Sequence, residues 1–311
     1  MKLKSKLLSF WVQIRDVYLY FFRHAIIVNG YVDDHTWWGI RHRNWGDDLN
    51  YYLIHEITGR PVIFYHNFKV AKWFHLNNYL CIGTIIDAVK VVNTHSIIWG
   101  SGASGIERSF IHPEKVLSVR GPRTRDYCIR YGVDCPQMFG DPALLLSLVY
   151  KPLHQKLTSH YHLGLIPNIA DMEHPVVVDL LHNAPTYIKV INMSQYNCWE
   201  DIIDVICSCD YILSSSLHGL IVSDAYQVPN GWISLTGKAI VGYLKFLDYF
   251  DSVERYIEKP VHIEKIADIA DLAGHPNLYF SCADLEKVKE LQDGLIKAAP
   301  FKLTGLQSRK H

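Results

Sequence analysis

Apolar positions along this chain gather into short runs that stop at glycine or serine and then resume at helical spacing. Ile26–Val28, Val62–Tyr65, Tyr79–Ile82 before Gly83, Ser96–Trp99 before Gly100, and Val116–Val119 are near-continuous apolar runs. Such runs fit strands buried on both faces of a parallel sheet, with ligand-facing turns at their carboxyl ends. Between them, Leu49, Tyr52, Leu53 and Ile57 recur at helical spacing until Gly59, and Pro122 opens a helix that closes on Gly132. A second series follows: Tyr161–Ile166, Val176–Leu180, Ile188–Ile191, a helix around Trp199–Ser208, the strand Tyr211–Leu213, a helix from Leu217 until Pro229, and Trp232–Leu235. A last helix runs from Ala283 to about Ala298, and Pro300–His311 reads as a frayed tail. Two strand–helix series in succession predict the α/β class, with two Rossmann-like domains facing across a cleft. The expected division is an amphipathic helix over 1–24, an N-terminal domain over 25–152, a C-terminal domain over 153–280, and a helix and tail over 281–311. The polar, proline-marked Lys151–Ser159 is the link.

The first segment has its own pattern. Lys2, Lys4 and Lys6 precede Leu7, Phe10, Trp11, Ile14, Tyr18, Phe21 and Phe22 at helical spacing, while Gln13, Arg15, Asp16 and Arg23 interrupt the apolar run. A spanning helix needs roughly 20 predominantly apolar residues, and Arg15–Asp16 also breaks the apolar region of a signal peptide. Two readings stand: a helix packed on the protein, and an interfacial helix with lysines at headgroup level, giving residues 1–24 a peripheral membrane contact.

Composition narrows the classes. With 311 residues, about half of them hydrophobic, the chain can bury two cores of ordinary size. A formal net charge of zero argues against a nucleic-acid binder. Seven scattered cysteines form no C-x-x-C pair, which suits a reducing compartment, and the seventeen histidines show no ligand spacing, so no metal is expected. No G-x-G-x-x-G occurs, and no repeats or low-complexity tracts.

Chemistry concentrates in Tyr211–Asn230. A strand runs into Ser214, Ser215 and Ser216, and a helix opens at Leu217 with His218 and Gly219 in its first turn. A serine-capped helix start is receptive to an anion, the imidazole is a proton donor near neutral pH, and glycine permits close approach of a ligand to the backbone. Arg120 follows a strand directly and projects over a helix start, where a guanidinium can chelate phosphate or carboxylate. Asn44-Trp45-Gly46 presents a helix capped by Asp47 with Asp48 beside it; these carboxylates suit sugar hydroxyls. Asp141, between Gly140 and Pro142, is a further cap or substrate contact.

Together Asn44-Trp-Gly-Asp-Asp-Leu-Asn50, Ser118-Val-Arg-Gly-Pro-Arg-Thr124, Gly140-Asp-Pro-Ala143, Ser214-Ser-Ser-Leu-His-Gly219 and Asp224-Ala-Tyr-Gln-Val-Pro229 resemble the polysaccharide pyruvyl transferases, nearest to the exopolysaccharide ketal-pyruvate transferases. The resemblance covers roughly Val28 to Tyr249. It implies two domains arranged as in a GT-B glycosyltransferase, phosphoenolpyruvate as donor with no other cofactor, and a sugar diol on a lipid-linked oligosaccharide as acceptor. It places the protein in the cytoplasm at the inner face of the plasma membrane. By position, Arg120 and His218 match residues that hold the donor. Many members carry arginine before Leu-His, where this chain has Ser216. A helix terminus contributes only about 0.3–1 kcal/mol, up to ~2 kcal/mol if partly buried, so Arg120 and His218, joined by Lys238 or Lys245, must supply the charge. The expected donor shell is Arg120, Ser214, Ser215, Ser216, Leu217, Gly219, Lys238 and Lys245, with guanidinium and imidazole closing from opposite lobes. Asn44, Trp45, Gly46, Asp48 and Asn50 are expected at the acceptor, and His218, Asp47 and Asp141 in proton transfer. The rivals are a nucleotide-sugar glycosyltransferase and a membrane-attached carbohydrate-binding factor.

Overall fold

The structure, a computed structural model, describes residues 2–32, 40–105, 110–152, 161–236 and 242–307, with backbone alone for 2–8 and 307. Most of the link Lys151–Ser159, Lys238 and the end of the tail lie outside the described residues. The chain divides into two compact units, Met1–Pro142 with Asp293–His311, and Ala143–Gln292.

The first unit holds β1 (Ile26–Val28), β2 (Val62–Phe64), β3 (Asn78–Leu80), β4 (Ser96–Trp99) and β5 (Lys115–Ser118), with α1 (Lys2–Arg23), α2 (Trp45–Thr58), α3 (Lys69–Trp73) and α4 (Pro122–Arg130). Its sheet has the order β2-β1-β3-β4-β5 with every pairing parallel. Chain order reverses between β1 and β3, which opens a crevice at their carboxyl ends, the usual ligand position in such sheets. β1 and β2 are buried along their whole length, as continuous Ile/Val runs covered on both faces should be.

The second unit holds β6 (Tyr161–Ile166), β7 (Ile188–Val190), β8 (Cys209–Ser214), β9 (Asn230–Ser234) and β10 (Val261–His262). Its helices are α5 (Leu146–Val149), α6 (Pro175–Asn183), α7 (Trp199–Cys207), α8 (Leu217–Ala225), α9 (Leu244–Ser252), α10 (Ile266–Gly274), α11 (Pro276–Tyr279) and α12 (Leu285–Lys297), which runs past the second division. The parallel order β10-β9-β8-β6-β7 reverses between β6 and β8. Leu163, Leu165, Val177, Leu213 and Ile233 form its core with Leu180 and Leu272.

The units divide at Pro142/Ala143, where the sequence pattern set the boundary at 152, because residues 143–150 are tied into the second unit. Tyr226 donates to Leu146 O and Tyr150 O at 3.0 and 2.8 Å, and Gln292 donates to Leu144 O at 2.7 Å.

Three local expectations are corrected. Val176–Leu180, placed among the strands, belongs to helix α6: Pro175 occupies the first turn and Val176, Val177 and Leu180 are the buried positions, a helical spacing. α2 begins at Trp45 with Asn44 as its cap residue, so Asp47 lies inside the first turn. The tail is docked through residue 306. Phe301 meets Tyr79 and Trp99 edge-on at 5.4 and 5.3 Å, and α13 (Thr304–Gln307) lies so close to α2 that a β-carbon on Gly305 would overlap Glu56 O.

Candidate active site

In the second unit, β8 ends at Ser214 and α8 starts at Leu217. The intervening serines were expected to cap α8; instead their hydroxyls are taken by other partners. Ser214 Oγ accepts from Ser216 N at 3.0 Å, and its hydroxyl has Ser216 O at 2.8 Å and Ile166 O at 3.1 Å as acceptors. Ser215 Oγ donates to Asp171 Oδ2 at 2.6 Å and accepts from Asn168 N at 2.8 Å. Ser216 is the cap residue by position but makes no side-chain cap bond; its hydroxyl points to Met193 Sδ at 3.7 Å. Gly219 also has a different reason to be glycine. A β-carbon there would stand 2.4 Å from Ser214 Oγ and 3.1 Å from Ile166, so glycine at this position permits the helix to pack on the strand. The turn is thereby held rigidly against β6, and within Ser214–Leu220 His218 alone is half-exposed.

Beside this turn, at the carboxyl ends of β6, β8 and β9, lies an open pocket of about 130 Å³ lined by Asn168, Asp171, Ser215, Ser234, Tyr243 and Lys245 among others. It occupies the switch-point position for a ligand. Its floor is aromatic: Trp232 stacks on Phe246 at 4.7 Å and meets Tyr243 at 5.0 Å. Lys245 is the cation in its wall, with Nζ 5.1 Å from the Phe246 ring centre. Thr236 and Gly242, which also line it, flank the segment that holds Lys238.

In the first unit, the α2 start and Arg120 both bear on the turn after β3. Asn50, fully buried, accepts from Ile82 N at 3.0 Å and donates to Ile82 O at 2.9 Å, fastening α2 to that turn. Gly83 takes φ +124°, a conformation that side chains rarely adopt, and lies beside Asp47, whose Oδ1 would be in ordinary contact, 3.8 Å, with a β-carbon there. Asp47 is half-exposed and accepts from Asn44 Nδ2 at 2.6 Å. Trp45, Gly46 and Asp48 are buried, Asp48 accepting from Arg43 N at 3.2 Å. Arg120 is fully buried, donating from Nη1 to Thr84 Oγ1 at 2.9 Å. The loop over it is pinned by Asp87 Oδ2, which accepts from Ser104 N and Gly105 N at 2.9 and 3.0 Å. Asp141 is likewise fully buried. Of the residues expected at the acceptor, Asn44 reaches the surface beside Asp47, while Trp45, Gly46, Asp48 and Asn50 build the turn that carries them.

Thr84, Asn168, Asp171, Ser234 and Tyr243 were not singled out from the sequence. Asn168 stands two residues past the β6 run, a strand end at which a ligand-facing residue is expected; the others carry no local signal. Among the described residues, no cluster of His, Cys, Asp and Glu is arranged to hold a metal ion, and no helix is long and apolar enough to cross a membrane.

Residues 10–236 match the polysaccharide pyruvyl transferase family. The chain is 26% identical over 222 residues to the succinoglycan biosynthesis protein ExoV of Rhizobium meliloti (strain 1021), covering 68% of this chain and 62% of that protein. It is 23% identical over 244 residues to the uncharacterized protein L143 of Acanthamoeba polyphaga mimivirus, 76% of this chain and 81% of the other. With the profile running through both strand–helix series, the chain belongs to the polysaccharide pyruvyl transferase family.

Proposed function

We propose that this protein transfers the pyruvyl group of phosphoenolpyruvate to two hydroxyls of a sugar, forming a cyclic pyruvate ketal during cell-surface polysaccharide synthesis, with the acceptor carried on a lipid at the inner face of the plasma membrane. The observation that carries the proposal is the pocket at the β6–β8–β9 carboxyl edge, lined by Lys245 and by Ser215 of the turn that leads into His218.

The chemistry sets what these side chains must do. The methylene carbon of the enol phosphate takes a proton, and the adjacent carbon becomes electrophilic. One hydroxyl adds there, the C–O bond to phosphate breaks with its electron pair leaving on oxygen, and the second hydroxyl closes the ring. Of the two hydroxyl protons, one ends on the new methyl group and one on phosphate. In this reading His218 is the general acid or the phosphate clamp, its imidazole suited to proton transfer near neutral pH. Lys245 draws the donor's anionic groups into the pocket, and the α8 start adds the positive end of its dipole. Asp47, half-exposed at the first unit's switch point, is a carboxylate suited to accept hydrogen bonds from sugar hydroxyls. Arg120, sealed under Gly102, holds Thr84 in the turn after β3.

The test is mass spectrometry of candidate acceptors after incubation with phosphoenolpyruvate. The expected product has gained one pyruvate and lost one water, with stoichiometric phosphate. An unchanged acceptor together with sugar transfer from a nucleotide sugar would assign the protein to glycosyl transfer.

A further inference from the structure

One side of α1 is spoken for and the other is not. Val12 is buried, and Val17, Leu19 and Tyr20 pack on the cluster of Ala25, Ile27, Ile63, Phe68 and Ala71. Gln13 clamps the helix to the start of α3: its Nε2 donates to Asn67 O and its Oε1 accepts from Lys69 N. On the other side Phe10, Trp11, Ile14, Tyr18, Phe21 and Phe22 are between 43% and 71% exposed. Trp73 and Phe74, at the far end of α3, are 71% and 70% exposed. So much aromatic surface on a fixed helix and its clamped neighbour marks a contact with another phase or molecule.

Charge decides between occupants. The single acid of α1, Asp16, is turned inward, fully buried and paired with Arg15 at 2.6 Å. Arg23 at the end of the helix and Lys69 and Lys72 on α3 are exposed, and Lys2, Lys4 and Lys6 are in the opening turns of the α1 sequence. A second copy presenting the same face would set like charges together, whereas an anionic lipid surface complements both cations and aromatics.

We infer that the outward face of α1, with Trp73 and Phe74 of α3, is a membrane-interfacial seat for anionic lipid. α1 lies in the headgroup plane while its inward side stays packed on the first unit. This deepens the reading above and rests on it for its purpose, since the acceptor would be presented on the same surface.

Flotation of the full chain with vesicles of phosphatidylcholine, and of phosphatidylcholine with phosphatidylglycerol, tests it. The native chain is expected to float with the anionic vesicles and to be released by salt. Trp11→Ser with Phe21→Ser should lose most of the floated fraction, and Lys69→Glu with Lys72→Glu should lower binding roughly fivefold per cation. Both variants alter only exposed side chains and should melt like the native chain and keep transfer to a lipid-free acceptor. A native chain that stays at the bottom of the gradient, or variants that float equally, would overturn the inference. So would variants that change the sedimentation coefficient of a native dimer. Flotation without any pyruvyl transfer would sink the proposed function and leave this face standing.

Discussion

Arg120 lies against Gly102 so closely that a β-carbon built on the glycine would fall 2.2 Å from the guanidinium carbon. The arginine is fully buried and its Nη1 is committed to Thr84 at 2.9 Å, so it cannot swing away into water. Gly102→Ala should therefore displace the guanidinium from Thr84, at a cost of about 1–3 kcal/mol, the usual range for overpacking. Urea unfolding reads the stability loss. A matching fall in transfer rate would show that the Gly83–Thr84 turn depends on it.

The Asp224–Arg255 pair should be the most destabilising single target of the second unit. Arg255 Nη1 donates to both Asp224 oxygens at 3.0 Å and to Asn230 Oδ1 at 2.8 Å, while Nη2 reaches Ser281 Oγ at 3.0 Å. Asp224 also accepts from Tyr249 OH at 2.8 Å and from Ala283 N at 2.9 Å. Removing one partner of such a buried pair leaves an uncompensated charge and costs about 3–5 kcal/mol. Arg255→Ala should cost that much in urea unfolding. Arg255→Lys should recover only part, because one ammonium cannot reproduce the forked set of bonds.

Thiol labelling gives a check on burial. Burial pushes the Cys207 and Cys209 thiols up to about 12 and Cys282 to about 11, so at neutral pH these stay protonated and poorly nucleophilic. Cys198 is exposed. Brief alkylation of the native protein followed by peptide mass mapping should mark Cys198 well before the other three, and denaturation should abolish the order.

Acid should weaken the start of α10 in a defined direction. Asp268 Oδ2 accepts from Glu264 N at 2.9 Å and Lys265 N at 3.0 Å, and these backbone bonds hold its carboxyl below the usual carboxylate range. A lowered native pKa contributes stability that is complete above the unfolded value and is lost as pH falls through the native one. Asp268→Asn should thus melt below the native chain at neutral pH, and the gap should close as the pH drops through the carboxylate range. A gap of constant size would show that the carboxylate charge is not involved.

The strands were legible because β1, β2 and β4 are short Ile/Val-rich runs covered on both faces, a pattern that needs no tertiary knowledge. The crevices followed from the same pattern, since glycine and serine end the runs. The roles of single residues were less legible. Ser214 and Ser215 look like caps locally, but their partners Ile166 and Asp171 stand 48 and 44 residues away in sequence. The burial of Arg120 has no local sign, because nothing in the sequence marks Gly102 or Thr84 as its cover. Arg255 carried no signal, its carboxylate lying 31 positions upstream. The docked tail was missed because Pro300–His311 has few apolar residues, and its hold comes from Phe301 and the close approach of Gly305.

The central claim is that the β8–α8 turn performs pyruvyl transfer from phosphoenolpyruvate, and His218 tests it most directly. His218→Ala, confirmed folded by its melting curve, should be assayed beside the native chain by the mass of a diol-bearing acceptor after incubation with phosphoenolpyruvate. The native chain is predicted to add one pyruvate with loss of water, and the variant to do so about 10²–10⁴-fold more slowly, the usual worth of a positioned acid. A folded variant with native transfer rate would contradict the account.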